Sequence, residues 1–424
     1  MPSVSEAGDR FGSSTTSGDF NADGYADVAV SAPTEDADEE PGQDSGKVQV
    51  FYGSPTGPMT GRTELLPEGA QPNEMSGAAL ATGDFNGDGF ADLAIGAPGF
   101  DGGRGWVYVF PGSASGIVSQ LPAPFAPRRL SQGSVSASNP GERFGAAIAA
   151  GDTNGDGLDD LAIGIPQNRQ ERTYATGAVI VVTGDEINGL ASANAHLWQL
   201  DSAGVPGSPS PFGSDKPNSF GDELAFGDYD GDGFDDLAIG IPGAPVTTST
   251  GKQEDAGLIT VLRGSANGLT PGELLTQQTP GVPGTADTHD LFGSSMAAGD
   301  SNGDGDDELV LTTPGDRLVT LLVGSTGTLN SAGYQAWTQH TAGVPGADEA
   351  EDKFGTGLRM TQYNGSGASS LLIGVPGENS GAGALVLLYS NGTSITTTGA
   401  RLFTQGTTGI PGASEAGDQF GSLG

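Results

Sequence analysis

Asp84, Asn86, Asp88 and Asp92 stand at the first, third, fifth and ninth places of a short loop inside the run 83–98. Oxygen side chains at alternating places, with Gly89 allowing a sharp turn between them, form the donor set that a hard cation such as Ca²⁺ takes. The set recurs as Asp19, Asn21, Asp23 and Asp27, as Asp152, Asn154, Asp156 and Asp160, as Asp228, Asp230, Asp232 and Asp236, and as Asp300, Asn302, Asp304 and Glu308. A sixth copy has decayed to Gln362, Asn364, Ser366 and Ser370, with no carboxylate to attract a divalent ion. About five Ca²⁺ ions are therefore expected, and none in the sixth loop. Clustered carboxylates can also act as general acid and base, but this spacing suits ligation far better.

Other chemistry is thin. The three histidines, His196, His289 and His340, fall in different repeats, and exposed loop positions are expected for each. There is no Gly-x-Ser-x-Gly elbow, no His-Glu-x-x-His and no phosphate-binding loop. Trp106, Trp198 and Trp337 could stack on sugar rings, but their place in apolar runs favours core or inter-sheet packing. With no cysteine, disulfides and thiolate metal sites are excluded.

Each loop is positioned by the sequence around it. Its ninth residue opens an apolar run of β type, such as Leu93-Ala94-Ile95, which a Gly and a Pro then stop. A Phe-Gly pair lies eight residues before each loop, at Phe11, Phe144, Phe220, Phe292 and Phe354, with Ser76-Gly77 as a variant, and Phe420-Gly421 opens a further copy. The copies recur every 62–76 residues. A period this long, with little helical signal inside it, fits one four-stranded sheet per repeat. In the second repeat the strands are expected near 77–82, 92–95, 106–110 and 128–130. Third strands are expected again at 48–52, 179–182, 258–262, 318–322 and 385–389, and fourth strands at 197–200, 274–277, 336–339 and 402–405. Such sheets expose faces that only a neighbouring sheet can cover, and radial packing into a β-propeller covers them.

Phe-Gly, the Asp-x-Asn-x-Asp-Gly-x-x-Asp loop and Gly96-Ala97-Pro98 together resemble the FG-GAP repeat. That is the repeat of the β-propeller at the N-terminus of integrin α-subunits and of bacterial FG-GAP proteins. The resemblance covers essentially the whole chain, as one propeller domain over 1–424. It implies Ca²⁺ ligation by the four side chains of each intact loop and by the backbone carbonyl of Tyr25, Phe90, Leu158, Phe234 and Asp306. Gly164-Ile165-Pro166, Gly240-Ile241-Pro242 and Gly374-Val375-Pro376 stay close to the Gly-Ala-Pro element, whereas Ser31-Ala32-Pro33 and Thr312-Thr313-Pro314 have drifted. The family usually closes seven blades, and six complete repeats stand here. Either six blades close, or a seventh is incomplete.

The chain has 424 residues, 73 Gly and 27 Pro, at fixed offsets that read as turns between strands. Its net charge of −37 repels nucleic acid and anionic membranes. No apolar run is long enough to span a bilayer as a helix. The start, Met1-Pro2-Ser3-Val4, shows no leader. Low-affinity oxygen sites suit millimolar external calcium, so an exported protein whose leader has been removed is expected, with the cytoplasm as the alternative. The function expected is a recognition scaffold for a protein or polysaccharide ligand. Its binding face would carry the inserts at 34–45, 167–176 and 244–255, which follow the second strands. The alternatives are an enzyme at the axial mouth of the propeller (a polysaccharide lyase or hydrolase, or a cyclase of secondary metabolism) and a purely structural module of a larger surface protein.

Overall fold

The computed structural model describes residues 9–36, 44–55, 61–65, 71–117, 127–169, 176–187, 189–190, 192–207, 219–327, 329–349, 351–363, 365, 367–410 and 414–422. It is all-β and carries six four-stranded antiparallel blades of the β-propeller class. The blades comprise Thr15–Gly18, Asp27–Ala32, Lys47–Tyr52 and Gly61–Leu65; Ala79–Gly83, Asp92–Ala97, Trp106–Phe110 and Arg128–Leu130; Ile148–Gly151, Asp160–Ile165, Ala178–Val182 and Ala195–Trp198; Glu223–Gly227, Asp236–Ile241, Leu258–Arg263 and Thr270–Leu275; Met296–Gly299, Glu308–Thr313, Leu318–Val323 and Asn330–Trp337; and Leu358–Thr361, Ser370–Val375, Ala384–Ser390 and Ile395–Phe403. In every blade the four strands lie side by side in chain order. The chain forms two compact units, divided near the start of blade four.

Second and third strands are buried on both faces, which is why they read as continuous apolar runs: all six residues of Asp92–Ala97 and all five of Ala178–Val182 are buried. In the first unit, Leu93, Ile95, Tyr108 and Phe110 of blade two share a core with Val48, Val50 and Leu65 of blade one. Val107 and Val109, from the other face of blade two, pack with Ile163, Ile165 and Ile180 of blade three. In the second unit, Ile259 and Val261 of blade four pack against Leu309 and Leu311 of blade five. Val319 and Leu321 pack on Leu371 and Ile373 of blade six. Each fully buried Leu or Ile contributes roughly 1.5–3 kcal/mol.

The Phe-Gly pair ties one blade to the blade before it. Phe144 N–H donates to the Arg104 carbonyl at 3.1 Å, Phe292 N–H to Ala256 at 3.0 Å, and Phe420 N–H to Ala382 at 3.1 Å. Phe144, Phe220, Phe292 and Phe354 are buried, whereas Phe11 is 59% exposed. Gly145 has φ +84°, and a Cβ there would meet the Trp106 carbonyl of blade two, so the glycine is required. Ahead of five of the pairs runs a turn that the sequence reading missed. Glu74, Glu142, Asp290, Asp352 and Asp418 each accept the N–H three residues back, at 2.6–3.0 Å. The residue just before each of the seven pairs is left-handed without being glycine: Arg10, Met75, Arg143, Ser219, Leu291, Lys353 and Gln419 all have φ between 52° and 63°.

The fourth strands correct the expectation. They end two residues earlier than their apolar signal implied, at Trp198, Leu275, Trp337 and Phe403. Gln199, Gln277 and Gln339 lie beyond the strand ends and donate their side-chain amides to Asn168, Asp316 and Glu378. Trp198 and Trp337 are buried, as expected. In blade four a two-stranded hairpin, Val246–Thr248 with Gly251–Gln253, rises from the connection between second and third strands.

Candidate metal centres

Each intact loop joins the first strand of its blade to the second, and its first carboxylate organises it. Gly87 and Gly89 N–H donate to Asp84 Oδ1 and Oδ2 at 2.7 and 2.9 Å. The same pair of bonds reaches Asp152 from Gly155 and Gly157, and Asp300 from Gly303 and Gly305. In loops one and four, Asp23 and Gly24 donate to Asp19, and Asp232 and Gly233 donate to Asp228. The third residue's amide oxygen then accepts the N–H of the fifth, as in Asp88 to Asn86 at 2.8 Å and Asp156 to Asn154 at 2.8 Å. The fifth residue accepts the N–H of the seventh, as in Tyr25 to Asp23 and Phe90 to Asp88. The sixth residue, Gly24, Gly89, Gly157, Gly233 or Gly305, has φ of 83–96°.

The ninth residue is buried in all five loops: Asp27, Asp92, Asp160, Asp236 and Glu308. In loops one to four it accepts the N–H of the residue after the third strand, as in Gly53 to Asp27 at 2.7 Å, or one residue further on, as in Gly112 to Asp92 at 2.8 Å, whereas Glu308 accepts Ser301 N–H at 2.7 Å. Burial pushes Asp92 and Glu308 up to about 7 and Asp236 up to about 6, and raises Asp27 and Asp160 as well. Backbone hydrogen bonds pull the other way, and nearby loop carboxylates add to the rise. Five buried carboxylates beside further carboxylates call for positive charge. All the donors are hard oxygens, which fits a hard cation. In loop four, oxygens of Asp228, Asp230 and Asp232 lie within 4.8 Å of one another, and Asp230 Oδ1 is buried with no hydrogen-bond partner.

The loops are also linked blade to blade. Ala91 N–H donates to the Asp19 carbonyl, Asp159 to Asp84, Asp307 to Asp228 and Ser369 to Asp300, at 2.6–3.1 Å. The eighth residue of one loop thus holds the first residue of the preceding loop.

The sixth loop has no carboxylate at its ligand positions, and its described residues repeat two features of the intact loops. Gly365 and Gly367 have φ of 67° and 85°, and Ser370 Oγ takes the place of the ninth carboxylate by accepting Ser390 N–H at 3.1 Å. Asn364 and Ser366 lie outside the described residues.

The histidines are exposed, but His196 lies on the strand Ala195–Trp198 and not in a loop as expected, and the three form no catalytic group among the described residues. His289 pairs with Asp255 at 3.0 Å, His340 with Asp348 at 2.5 Å, and His196 lies against Trp198 with ring centroids 4.5 Å apart. Trp106 is half-buried, stacked on Phe100 at 4.0 Å with the Arg129 guanidinium over its ring. The residue that sequence reasoning missed is Arg263. It closes the third strand of blade four and pairs with Asp236, with its other terminal nitrogen 2.6 Å from Glu273. One signal was available: its neighbours on both sides are apolar or glycine, and it follows the strand that returns to the loop.

The FG-GAP repeat model matches residues 11–51, 76–110, 144–182, 220–262 and 292–333. This chain is an FG-GAP repeat protein. It is 34% identical to integrin alpha-PS2 of Drosophila melanogaster over 204 residues, covering 46% of this chain and 14% of that protein. It is 36% identical to phosphatidylinositol-glycan-specific phospholipase D of Mus musculus over 166 residues, covering 37% and 18%. The matched part is thus less than a fifth of the length of either curated relative. Among solved structures, rhamnogalacturonan lyase YesW aligns over 88% of this chain and 66% of its own, at 12% identity and a TM-score of 0.40, a likeness too slight to bear on activity.

Proposed function

We propose that this FG-GAP chain is a calcium-held recognition scaffold, one propeller domain over 1–424 that works outside the cell and binds a protein or a polysaccharide. The observation that carries this reading is the repeated loop. Each one turns its side-chain oxygens inward on glycines with positive φ, and each buries a ninth carboxylate whose charge is not balanced by the backbone alone. The first, third, fifth and ninth side chains of the loops, with the seventh carbonyl, would hold Ca²⁺. The ion would supply the positive charge that these carboxylates need. The chain's own contribution is to fix the donors in advance through the N–H bonds that set each side chain's direction.

The similarity to integrin alpha chains supports a binding role. The inserts after the second strands are the surface offered to the ligand. Residues 37–43 and 170–175 of two of them lie outside the described residues. The third presents the hairpin Val246–Gln253, whose Thr247 and Lys252 are exposed. The test is interferometry against a panel of extracellular proteins and polysaccharides, with and without calcium. Calcium-dependent binding that weakens when the hairpin 246–253 is replaced by a short Gly-Ser turn is expected. Turnover of any polysaccharide on the panel would replace the scaffold reading with the enzymatic one.

A further inference from the structure

Loop four differs from its siblings at two places, and the two differences meet in space. At the third position the other intact loops have Asn (Asn21, Asn86, Asn154, Asn302), whereas loop four has Asp230. One residue beyond the third-strand partner of the second strand's leading Val or Leu, the other blades have Tyr52, Pro111, Thr183, Val323 and Tyr389, whereas blade four has Arg263. No other residue in that set is cationic.

Arg263 turns into the loop. Its Nη1 donates to Asp236 Oδ2, the ninth position, and lies 3.9 Å from Asp230 Oδ2, the third position. Its Nη2 donates to Glu273 Oε1 at 2.6 Å, and that oxygen also accepts Leu329 N–H at 3.1 Å. The guanidinium is largely enclosed, with the Arg263 side chain 14% exposed and Asp236 at 1%. In loops two and five the Asn side-chain amide donates to the ninth carboxylate, Asn86 to Asp92 at 3.4 Å and Asn302 to Glu308 at 2.8 Å. Asp230 has no such N–H to give. Arg263 replaces that donor and also brings one positive charge, which offsets the extra carboxylate of Asp230. Either change alone would unbalance the loop, and together they restore the charge of its siblings.

We propose that Arg263 is the resident cation of loop four, standing between the third and ninth carboxylates and keeping calcium out of that one loop. This narrows the calcium reading above to loops one, two, three and five, and it rests on that reading for those four. Loop four is then folded at all calcium concentrations, while loops one, two, three and five depend on the ion. A guanidinium flanked by three carboxylates and hydrogen-bonded to two of them is a stable partner, because it cannot lose its proton and both bonds are charge-assisted. A metal ion would have to displace it from Asp236 and leave it buried beside the new charge.

The experiment is equilibrium dialysis at fixed free calcium, with bound calcium read by elemental analysis, on wild type, Arg263→Gln and the double variant Asp230→Asn/Arg263→Gln. Melting of the calcium-stripped proteins is the second readout. The expected result is four ions in wild type and five in both variants. Stripped Arg263→Gln should melt below stripped wild type and recover when calcium is restored. Five ions in wild type would overturn the proposal while leaving the calcium reading intact. Four ions in all three proteins would overturn it equally, because removing the guanidinium would have opened nothing. No bound calcium in any of them would remove both readings together. The double variant rebuilds the donor set of loop two, so it keeps the test decisive should Arg263→Gln fold poorly.

Discussion

Asp84 and Asp159 hold each other across two blades. Asp84 N–H donates to Asp159 Oδ2 at 2.7 Å, and Asp159 N–H donates back to the Asp84 carbonyl at 3.1 Å. Asp84 is the first residue of loop two, and Asp159 is the eighth of loop three. The acidic side chain of Asp159 is therefore a support for the neighbouring loop and no ligand of its own. Burial is the main reason its carboxyl is raised, with Asp152 and Asp84 adding to the effect. Ordering one loop thus restrains the start of the preceding loop within this unit.

That reciprocal bond gives a first prediction. Asp159→Ala leaves the half-buried Asp84 N–H without its acceptor, at a cost of about 1 kcal/mol. Asp159→Asn keeps an acceptor oxygen and removes a buried charge, so it should cost little or stabilise slightly. Chemical denaturation of the two variants in saturating calcium checks this. Equal losses would mean that the side chain acts by charge and not by its hydrogen bond.

Removing calcium should lower the melting temperature strongly. Binding to the folded state alone stabilises by about 2.7 kcal/mol per site at 100 times Kd, and several loops would contribute. Melts of calcium-stripped and calcium-saturated protein at matched ionic strength provide the measurement. Coincident midpoints would show that hydrogen bonds fold the loops unaided, as those of the sixth loop must do.

Much of this architecture was legible in the sequence, for identifiable reasons. Second and third strands are enclosed on both faces, so runs such as Leu161-Ala162-Ile163 and Val179-Ile180-Val181-Val182 announce themselves by composition alone. The loops were legible because ligand geometry demands fixed spacing. Fourth strands face outward in part: Thr270, Pro271 and Gly272 are exposed and carry no apolar signal, so the strand's start was invisible and its end was placed too late. The left-handed residue before Phe-Gly escaped notice because Arg143, Leu291 and Lys353 are not residues that favour positive φ. There the fold imposes the conformation through the acidic turn and the blade-to-blade bonds. Arg263 escaped because its significance depends on Asp230 and Asp236, which precede it in the chain and meet it only once the sheet has formed.

Calcium-stripped protein should respond to pH in a sense opposite to ordinary acid denaturation. Asp92 and Glu308 are pushed up to about 7, and Asp236 to about 6, chiefly by burial. A carboxyl raised in the folded state binds its proton more tightly there than in the unfolded chain. Its stabilising contribution is present at low pH and is lost as pH rises through the folded value. Between about pH 8 and pH 6 the stripped protein should therefore gain stability as pH falls. Melts in metal-free buffers, prepared by resin treatment so that no pH-dependent chelator is present, measure this. A midpoint that falls steadily from pH 8 to pH 6 would contradict the assignment of Asp92 and Glu308 as buried carboxylates with no cationic partner.

Asp88→Ala should cost stability and one calcium ion, while Ser366→Ala should cost neither. Both hold the fifth position of their loops in the sequence, so the comparison controls for place within the blade. Asp88 has Asp84, Asn86 and Asp92 as its companions, and its Oδ1 also accepts Phe90 N–H at 3.0 Å. Its loss removes a charged donor and a bond that shapes the loop, leaving Asp84 and Asp92 with a poorly enclosed ion. The sixth loop offers no carboxylate at any of its four positions. It is held instead by glycines at positive φ, by Gln362, whose side-chain amide donates to the Gly367 carbonyl at 3.0 Å, and by Ser370. Bonds of that kind are worth about 1 kcal/mol each, and replacing one serine in a loop with no bound ion changes no calcium count. Elemental analysis and thermal melts of the two variants, in calcium and after stripping, decide the matter. Equal losses of calcium and of melting temperature would mean that the alternating oxygens of loop two are not what holds the ion.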